Sequence, residues 1–332
     1  MTDKENSGIL IYAQLTRDGY IHTVFFELLD KAKELAQKLG GVDVNAVIFT
    51  PVGLTETFKE AFQNKGVNKV YYFENDEFKN YSTEYYSKLL VDLVGVIKPE
   101  ILLIGATNQG RDLAPRVSAA LGTGLTADCT GLDINEKGQL AATRPTFGGQ
   151  LMATILCKTY PQMATVRPNV FKINPQDNYA DTELISCPVN ISILKKHVEL
   201  IEFKKTVETE INDLDSAEVI VAGGKGLKNE KGFELLRTFA QKIGATIGAT
   251  RGAVEMGLAP SSIQIGQTGK TVNPKIYIAC GISGAIQHTV GITGAEHIIA
   301  INNDENAEIF DIADTGIVGD VFEILPQFIN ED

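Results

Sequence analysis

Short apolar runs alternate with segments of helical periodicity over residues 8–122. "GILIYAQ" (Gly8–Gln14), "VNAVIFT" (Val44–Thr50), "KVYYFE" (Lys69–Glu74) and "EILLIGA" (Glu100–Ala106) predict strands. Between them, "FFELLDKAKELAQKLG" (Phe25–Gly40) places apolar residues three and four apart and closes on a glycine suited to a C-cap. "TETFKEAFQNKG" (Thr55–Gly66), "STEYYSKLLVDLVGVIKP" (Ser82–Pro99, opened by Ser82) and "GRDLAPRVSAALG" (Gly110–Gly122) predict three more helices. Strand-helix alternation implies a parallel sheet with helices on its faces. The pattern then changes. "QLAATRPTFGGQLMATILCK" (Gln139–Lys158) and "PQMATVRPNVF" (Pro161–Phe171) are expected to be antiparallel strands extending that first sheet.

Residues 190–217 are rich in charge and poor in Gly and Pro, and the interdomain connection is expected near Lys204–Val207. The α/β pattern restarts with "EVIVAGGKG" (Glu218–Gly226), the helical "EKGFELLRTFAQKIG" (Glu230–Gly244), and the strands "KIYIACG" (Lys275–Gly281) and "HIIAINND" (His297–Asp304). "DVFEILPQFI" (Asp320–Ile329) predicts a terminal helix carrying Pro326. The expected fold class is α/β in two domains, 1–205 and 206–332. Each is a mainly parallel sheet flanked by helices, the second one Rossmann-like.

Composition narrows the function classes. With 332 residues and 44% hydrophobic content the chain has ample material for two cores. A net charge of −12 argues against nucleic acid and against an anionic membrane surface, both of which need clustered Lys and Arg. No apolar run approaches the roughly 20 residues that span a bilayer. The polar, acidic start "MTDKENSGILIY" is unlike a signal peptide, and four scattered cysteines fit a reducing cytoplasm. Neither the cysteines nor the four histidines have metal-ligand spacing.

Candidate chemistry gathers in the second half. Three glycine-rich turns follow apolar stretches: "AGGKG" (Ala222–Gly226), "IGQTG" (Ile265–Gly269) and "CGISGAIQH" (Cys280–His288). One such turn alone is more often a tight turn than a site. None matches a spaced dinucleotide fingerprint or a P-loop. Three in one domain point instead to the carboxyl edge of an open sheet, where ligands bind. A helix starting at Ser283 would aim free amides at the crevice and bind phosphate. Thr250, Arg251, Gln267, Thr268, Gln287, His288 and Asn302 fall at the same edge, a set suited to a long polar ligand with a phosphate and hydrogen-bonding rings. No nucleophile-base-acid order stands out, which disfavours hydrolysis.

These stretches resemble the α subunit of the electron-transfer flavoproteins. "IYIACGISGAIQHTVGITGAEHIIAIN" (Ile276–Asn302), "GATRGAVEMG" (Gly248–Gly257), "IQIGQTGKTVNPKIY" (Ile263–Tyr277), "AGGKGL" (Ala222–Leu227) and "FDIADTGIVGDVFEILP" (Phe310–Pro326) carry the likeness. The first half is similar more loosely, through "TNQGRDLAPRVSAALGTGLTADC" (Thr107–Cys129), "RPTFGGQ" (Arg144–Gln150) and "VRPNVF" (Val166–Phe171). The resemblance implies an electron-carrier subunit rather than a stand-alone enzyme. It also implies one FAD in the C-terminal domain and a β subunit packed on the N-terminal one.

Carried over by position, Lys225, Thr250 and Arg251 approach the FAD, and Ile265, Gly266, Gln267 and Thr268 form the turn near its ring. Ser283, Gly284, Ala285, Ile286, Gln287 and His288 hold the pyrophosphate and the ring's carbonyl edge, with Asn302, Asp320 and Val321 further out. Arg251 and His288 would stabilise negative charge on the reduced ring. The family often has Arg where Lys225 stands and Lys where Asn303 stands. Its members relay electrons from acyl-CoA dehydrogenases or related dehydrogenases in fatty acid oxidation, or bifurcate electrons from NADH with a second FAD in β. An NAD- or nucleotide-binding enzyme or sensor on the same scaffold is the alternative that the residues alone leave open.

Overall fold

A computed structural model of the chain describes residues 6–146, 151–173, 181–191, 198, 200–202, 214 and 217–330. The chain forms two compact units, one on each side of residues 204 and 205. The connection expected at Lys204–Val207 lies outside the described residues.

The first unit begins as expected: β1 (Ile9–Ala13), α1 (Val24–Lys38), β2 (Val44–Thr50), α2 (Thr55–Phe62), β3 (Lys69–Glu74), α3 (Thr83–Ile97), β4 (Ile101–Gly105) and α4 (Asn108–Leu121). All five residues of β1 are buried. Its alternate side chains serve two cores. Ile9 and Ile11 pack with Phe25, Leu28 and Leu29 of α1, whereas Leu10 and Tyr12 pack with Leu90 of α3 and Val117 of α4. That two-sided burial is why the strand is uniformly apolar rather than alternating. Ser82 precedes α3, but its hydroxyl donates to Glu84 and caps no backbone amide.

The remaining strands correct the antiparallel extension. They are β5 (Leu125–Cys129), β6 (Gly131–Ile134), β7 (Leu140–Thr146), β8 (Leu151–Leu156), β9 (Gln162–Val166) and β10 (Glu183–Cys187). The main sheet has seven strands in the order β10-β3-β2-β1-β4-β9-β5, and every pair in it is parallel. "PQMATV" supplies β9, which is buried along its whole length between β4 and β5. "QLAATRPT" and "LMATIL" supply β7 and β8, which leave the main sheet: β7 pairs antiparallel with both β6 and β8 in a separate three-stranded sheet. Burial on both faces fits a central parallel strand, and the exposed β8 cannot take that place.

The second unit holds β11 (Val219–Gly223), α5 (Glu230–Ile243), β12 (Thr246–Thr250), α6 (Arg251–Glu255), β13 (Gln264–Ile265), β14 (Ile276–Cys280), α7 (Ile286–Thr289), β15 (His297–Asn302), β16 (Thr315–Val318) and α8 (Val321–Asn330). Its six strands are all parallel, in the order β13-β12-β11-β14-β15-β16. Numbered within the unit this is 3-2-1-4-5-6, the order of doubly wound dinucleotide-binding sheets. Asn229 caps α5 by accepting from Gly232, and Gly244 closes it in the left-handed conformation.

Candidate functional site

The strand order reverses between β11 and β14, so the loops after these two strands diverge and leave a crevice at the carboxyl edge. Its volume is about 980 Å³. All three glycine-rich turns line it, as their positions after the apolar runs predicted.

Glycine lets the backbones of these turns touch. The Gly226 amide donates to the Gly281 carbonyl at 2.9 Å, and a Cβ on Gly226 would stand 2.6 Å from Gly281 Cα. The second and third turns are joined as well. The Gln267 amide donates to the Gln287 carbonyl at 2.7 Å, and the Val272 amide to Gly291 at 2.8 Å.

The helix expected at Ser283 starts at Ile286 instead and runs for four residues. Gly281 and Gly284 have φ of +61° and +93°, which turn the chain out of the helical path. The consequence for binding is still an anion cradle. Among the described residues, none accepts a hydrogen bond from the amides of Ser283, Gly284, Ala285, Ile286 or Gln287. Of these residues Ser283, Ala285 and Gln287 line the crevice, so free N–H groups are available there from a turn rather than from a helix end. Such exposed N–H groups suit an anionic acceptor such as a phosphate.

Two cations, Lys225 and Arg251, line the same crevice. The aliphatic stem of Lys225 lies against Gly252. Arg251, the first residue of α6, is 65% exposed at its side chain and pairs with Glu255 at 2.8 Å. Thr250 caps α6 by accepting from the Ala253 amide at 3.3 Å, which leaves its hydroxyl proton to donate into the crevice. Thr268 accepts from Gln264 Nε2 at 2.9 Å and keeps its own proton too. Asn302 is buried. Its Nδ2 holds the Ile282 carbonyl at 2.8 Å and its Oδ1 accepts from the Asp304 amide, so it braces the cradle from below.

The resemblance gave His288 a part in stabilising negative charge on the ring; in this structure both of its nitrogens have protein partners. It is 6% exposed. Its Nδ1 lies 3.0 Å from the Ile265 carbonyl and its Nε2 2.9 Å from the Tyr277 hydroxyl. A carbonyl only accepts, so Nδ1 carries the proton and Nε2 accepts from Tyr277. Burial pushes the imidazole pKa down to about 4, the Ile265 hydrogen bond opposing it. The ring is therefore neutral near pH 7, and both nitrogens are spent inside the protein. Positive charge in the crevice falls to Lys225 and Arg251.

The depressed pKa has a stability consequence. Protonation is disfavoured in the folded unit, so this contribution is whole above pH 6.5 and is lost as pH falls toward 4. Unfolding at pH 7.5 and 4.5 should show wild type losing roughly 2–3 kcal/mol more than His288→Asn, at about 1.4 kcal/mol per pKa unit. Equal losses in the two proteins would refute the buried neutral imidazole.

The structure does not bring every expected residue to the crevice wall. Lys225, Thr250, Arg251, Ile265, Gly266, Gln267, Thr268, Ser283, Ala285, Gln287, His288 and Asn302 line it. Gly284 and Ile286 shape the same turn behind that wall. Gly284 packs against the Ile309 backbone, leaving no room for a side chain. Asp320 and Val321 stand at the start of α8: Asp320 accepts from the Phe322 amide at 2.9 Å and pairs with Lys228 at 3.5 Å, while Val321 is core. Sequence reading missed Gln264, Glu255, Asp304 and Glu308, which also line the crevice. Asp304 lies two residues past the end of β15, whereas the sequence reading ran that strand on to Asp304 itself. No cluster of metal-ligating residues occurs among the described residues. No described helix is long and apolar enough to cross a membrane.

Comparison with known proteins agrees with this geometry. Residues 9–190 match the family model described as an electron transfer flavoprotein domain, and residues 213–293 the one described as an electron transfer flavoprotein FAD-binding domain. The chain is 44% identical to an electron transfer flavoprotein subunit alpha of Clostridium acetobutylicum, over 99% of this chain and 98% of that one. It is 44% identical to the corresponding subunit of Megasphaera elsdenii, over 97% and 95%. It is 43% identical to a lactate dehydrogenase (NAD(+),ferredoxin) subunit of Acetobacterium woodii, over 97% of this chain and 76% of that one.

Proposed function

The chain belongs to the electron transfer flavoprotein family as an α subunit that binds FAD, and on that premise we propose that it holds one FAD in the crevice of its second unit, pairs with a β subunit, and relays electrons from a dehydrogenase to an acceptor. The observation that supports the placement is the run of free amides from Ser283 to Gln287, in a crevice that Lys225 and Arg251 also line. These amides take the pyrophosphate, and the Lys225 ammonium adds charge there. Asn302 keeps the cradle in shape. Arg251 holds positive charge at the crevice mouth, where negative charge would otherwise be unfavourable. Thr250 and Thr268 each keep a hydroxyl proton for a ligand acceptor. FAD, when bound, supplies reversible one-electron chemistry. The charged and hydrogen-bonding residues around the crevice would tune its potential.

The proposed electron donor is an acyl-CoA dehydrogenase or a related dehydrogenase. One observation favours a narrower reading. A relative over 97% of this chain is named as a subunit of an NAD(+)- and ferredoxin-dependent lactate dehydrogenase. Electron bifurcation here would require a second FAD in the β subunit. The test is the flavin count after acid release from the chain co-purified with its β subunit. One FAD per heterodimer supports the simple relay, and two support bifurcation. A colourless heterodimer that takes up no added FAD would overturn the assignment of the crevice.

A further inference from the structure

Tyr277 has no place among the crevice residues, yet it is the largest fully buried side chain among the described residues. It lies on β14, the strand that delivers the free-amide turn. A buried phenol needs a partner for its proton. Its hydroxyl lies 2.9 Å from His288 Nε2, and His288 Nδ1 lies 3.0 Å from the Ile265 carbonyl. The chain of contacts therefore runs from the middle of the sheet, through the imidazole, to the turn opposite. That turn is tied down at one more point, the Gln267–Gln287 backbone hydrogen bond, and the segment after it by the Val272–Gly291 bond. Neither of these reaches the Ile265 carbonyl.

We propose that Tyr277 is a positioning residue for the flavin crevice: by donating to His288 Nε2 it fixes the ring with its proton on Nδ1, and so holds the Ile265–Thr268 turn against the Ser283–His288 turn. The directionality is chemical. Ile265 offers a lone pair only, so the proton on Nδ1 is assigned. Nε2 is then an acceptor, and Tyr277 is the donor within reach. Burial raises the phenol pKa well above its ordinary value, so the donor is protonated at neutral pH. With the phenol removed, a buried Nε2 lone pair has lost its partner. The ring is then free to turn, and the Ile265 carbonyl loses its side-chain donor. Tyr277 thus acts on the ligand only through His288, and the inference rests on the crevice being the FAD site.

The test uses the heterodimer with its histidines labelled with nitrogen-15, and the variants Tyr277→Phe, His288→Asn and the double variant. In wild type, His288 should show a protonated Nδ1 and a bare, hydrogen-bonded Nε2. In Tyr277→Phe the Nε2 resonance should move to that of an unbonded ring nitrogen, and the FAD dissociation constant should rise about tenfold, equivalent to about 1.4 kcal/mol. Asn at 288 sets an amide N–H near the place of Nδ1–H but leaves nothing for the phenol to donate to. In that background Tyr277→Phe should weaken FAD less than threefold further, because residues acting as a unit are not additive. A proton on Nε2 in wild type would overturn the proposal, whether or not any variant folds. So would an unchanged His288 spectrum in Tyr277→Phe, or equal effects of that change in both backgrounds. A wild-type heterodimer that binds no FAD would defeat the functional reading instead, and the nitrogen-15 spectrum of the FAD-free protein would still decide the Tyr277–His288 relation.

Discussion

Gly266→Ala should weaken FAD binding by more than 100-fold while the first unit keeps its stability. Gly266 has φ of +135°, a region that side chains rarely enter. A Cβ there would lie 2.6 Å from the Gln287 carbonyl oxygen and 3.3 Å from His288 Cα. Both are backbone atoms, so no rotamer change relieves the clash. The second and third turns must separate. That breaks the Gln267–Gln287 hydrogen bond and moves the amides of the cradle. Strain of about 1–3 kcal/mol from the φ alone adds to the displacement, and 100-fold corresponds to about 2.7 kcal/mol. Gly244→Ala is the control. It also has positive φ, +67°, but a Cβ there meets nothing within 4 Å. It should cost about 1 kcal/mol of stability and leave FAD affinity unchanged. Equilibrium dialysis of both variants decides the matter. Affinity for Gly266→Ala within threefold of wild type would mean that the turn contact is not part of the site.

Arg251→Ala should lower the potential of the first one-electron reduction by on the order of 60 mV, the equivalent of one charge-assisted hydrogen bond. The neutral state of His288 sharpens this expectation, because it leaves Arg251 and Lys225 as the cations of the crevice. Arg251 is partly neutralised by Glu255 at 2.8 Å, and the pair is solvent-exposed. Exposure screens the arginine, which limits its effect to the scale of one interaction rather than several. The pairing also gives a second sign to check: Glu255→Gln frees the guanidinium and should raise the same potential. Spectroelectrochemical titration of the two variants with FAD bound is the measurement. A potential unmoved by Arg251→Ala would place the guanidinium away from the flavin ring.

Much of the fold was legible because period and burial agree. Val44–Thr50 and Lys69–Glu74 emerged as strands with the bounds read from the sequence. The helix over Glu230–Ile243 ended at its glycine. The reading failed where a strand's neighbours, not its residues, decide its role. "QMATV" and "LMATIL" have similar composition, yet one is a buried central strand and the other an exposed strand of a separate sheet. β5 and β13 escaped notice because "LTADC" is too polar, and a two-residue strand too short, to make a period. In the site, the glycine turns were readable as turns, since glycine most readily takes the positive φ of Gly266, Gly281 and Gly284 and allows close backbone approach. Which turns touch was not.

The sequence alone determined the two-part α/β organisation, the three turns, the family likeness and the absence of metal-ligand spacing, because these follow from composition, period and residue type along a single dimension. The tertiary structure decided the rest. It placed Asp320 and Val321 at a helix start and replaced the helix end at Ser283 with a turn of free amides. It made His288 a neutral bridge between Tyr277 and Ile265. The physical reason is common to all three. A side chain's protonation and the fate of an amide depend on which atoms come within 3 Å of it. Those atoms sit on other strands, 11 and 23 residues away in the case of His288.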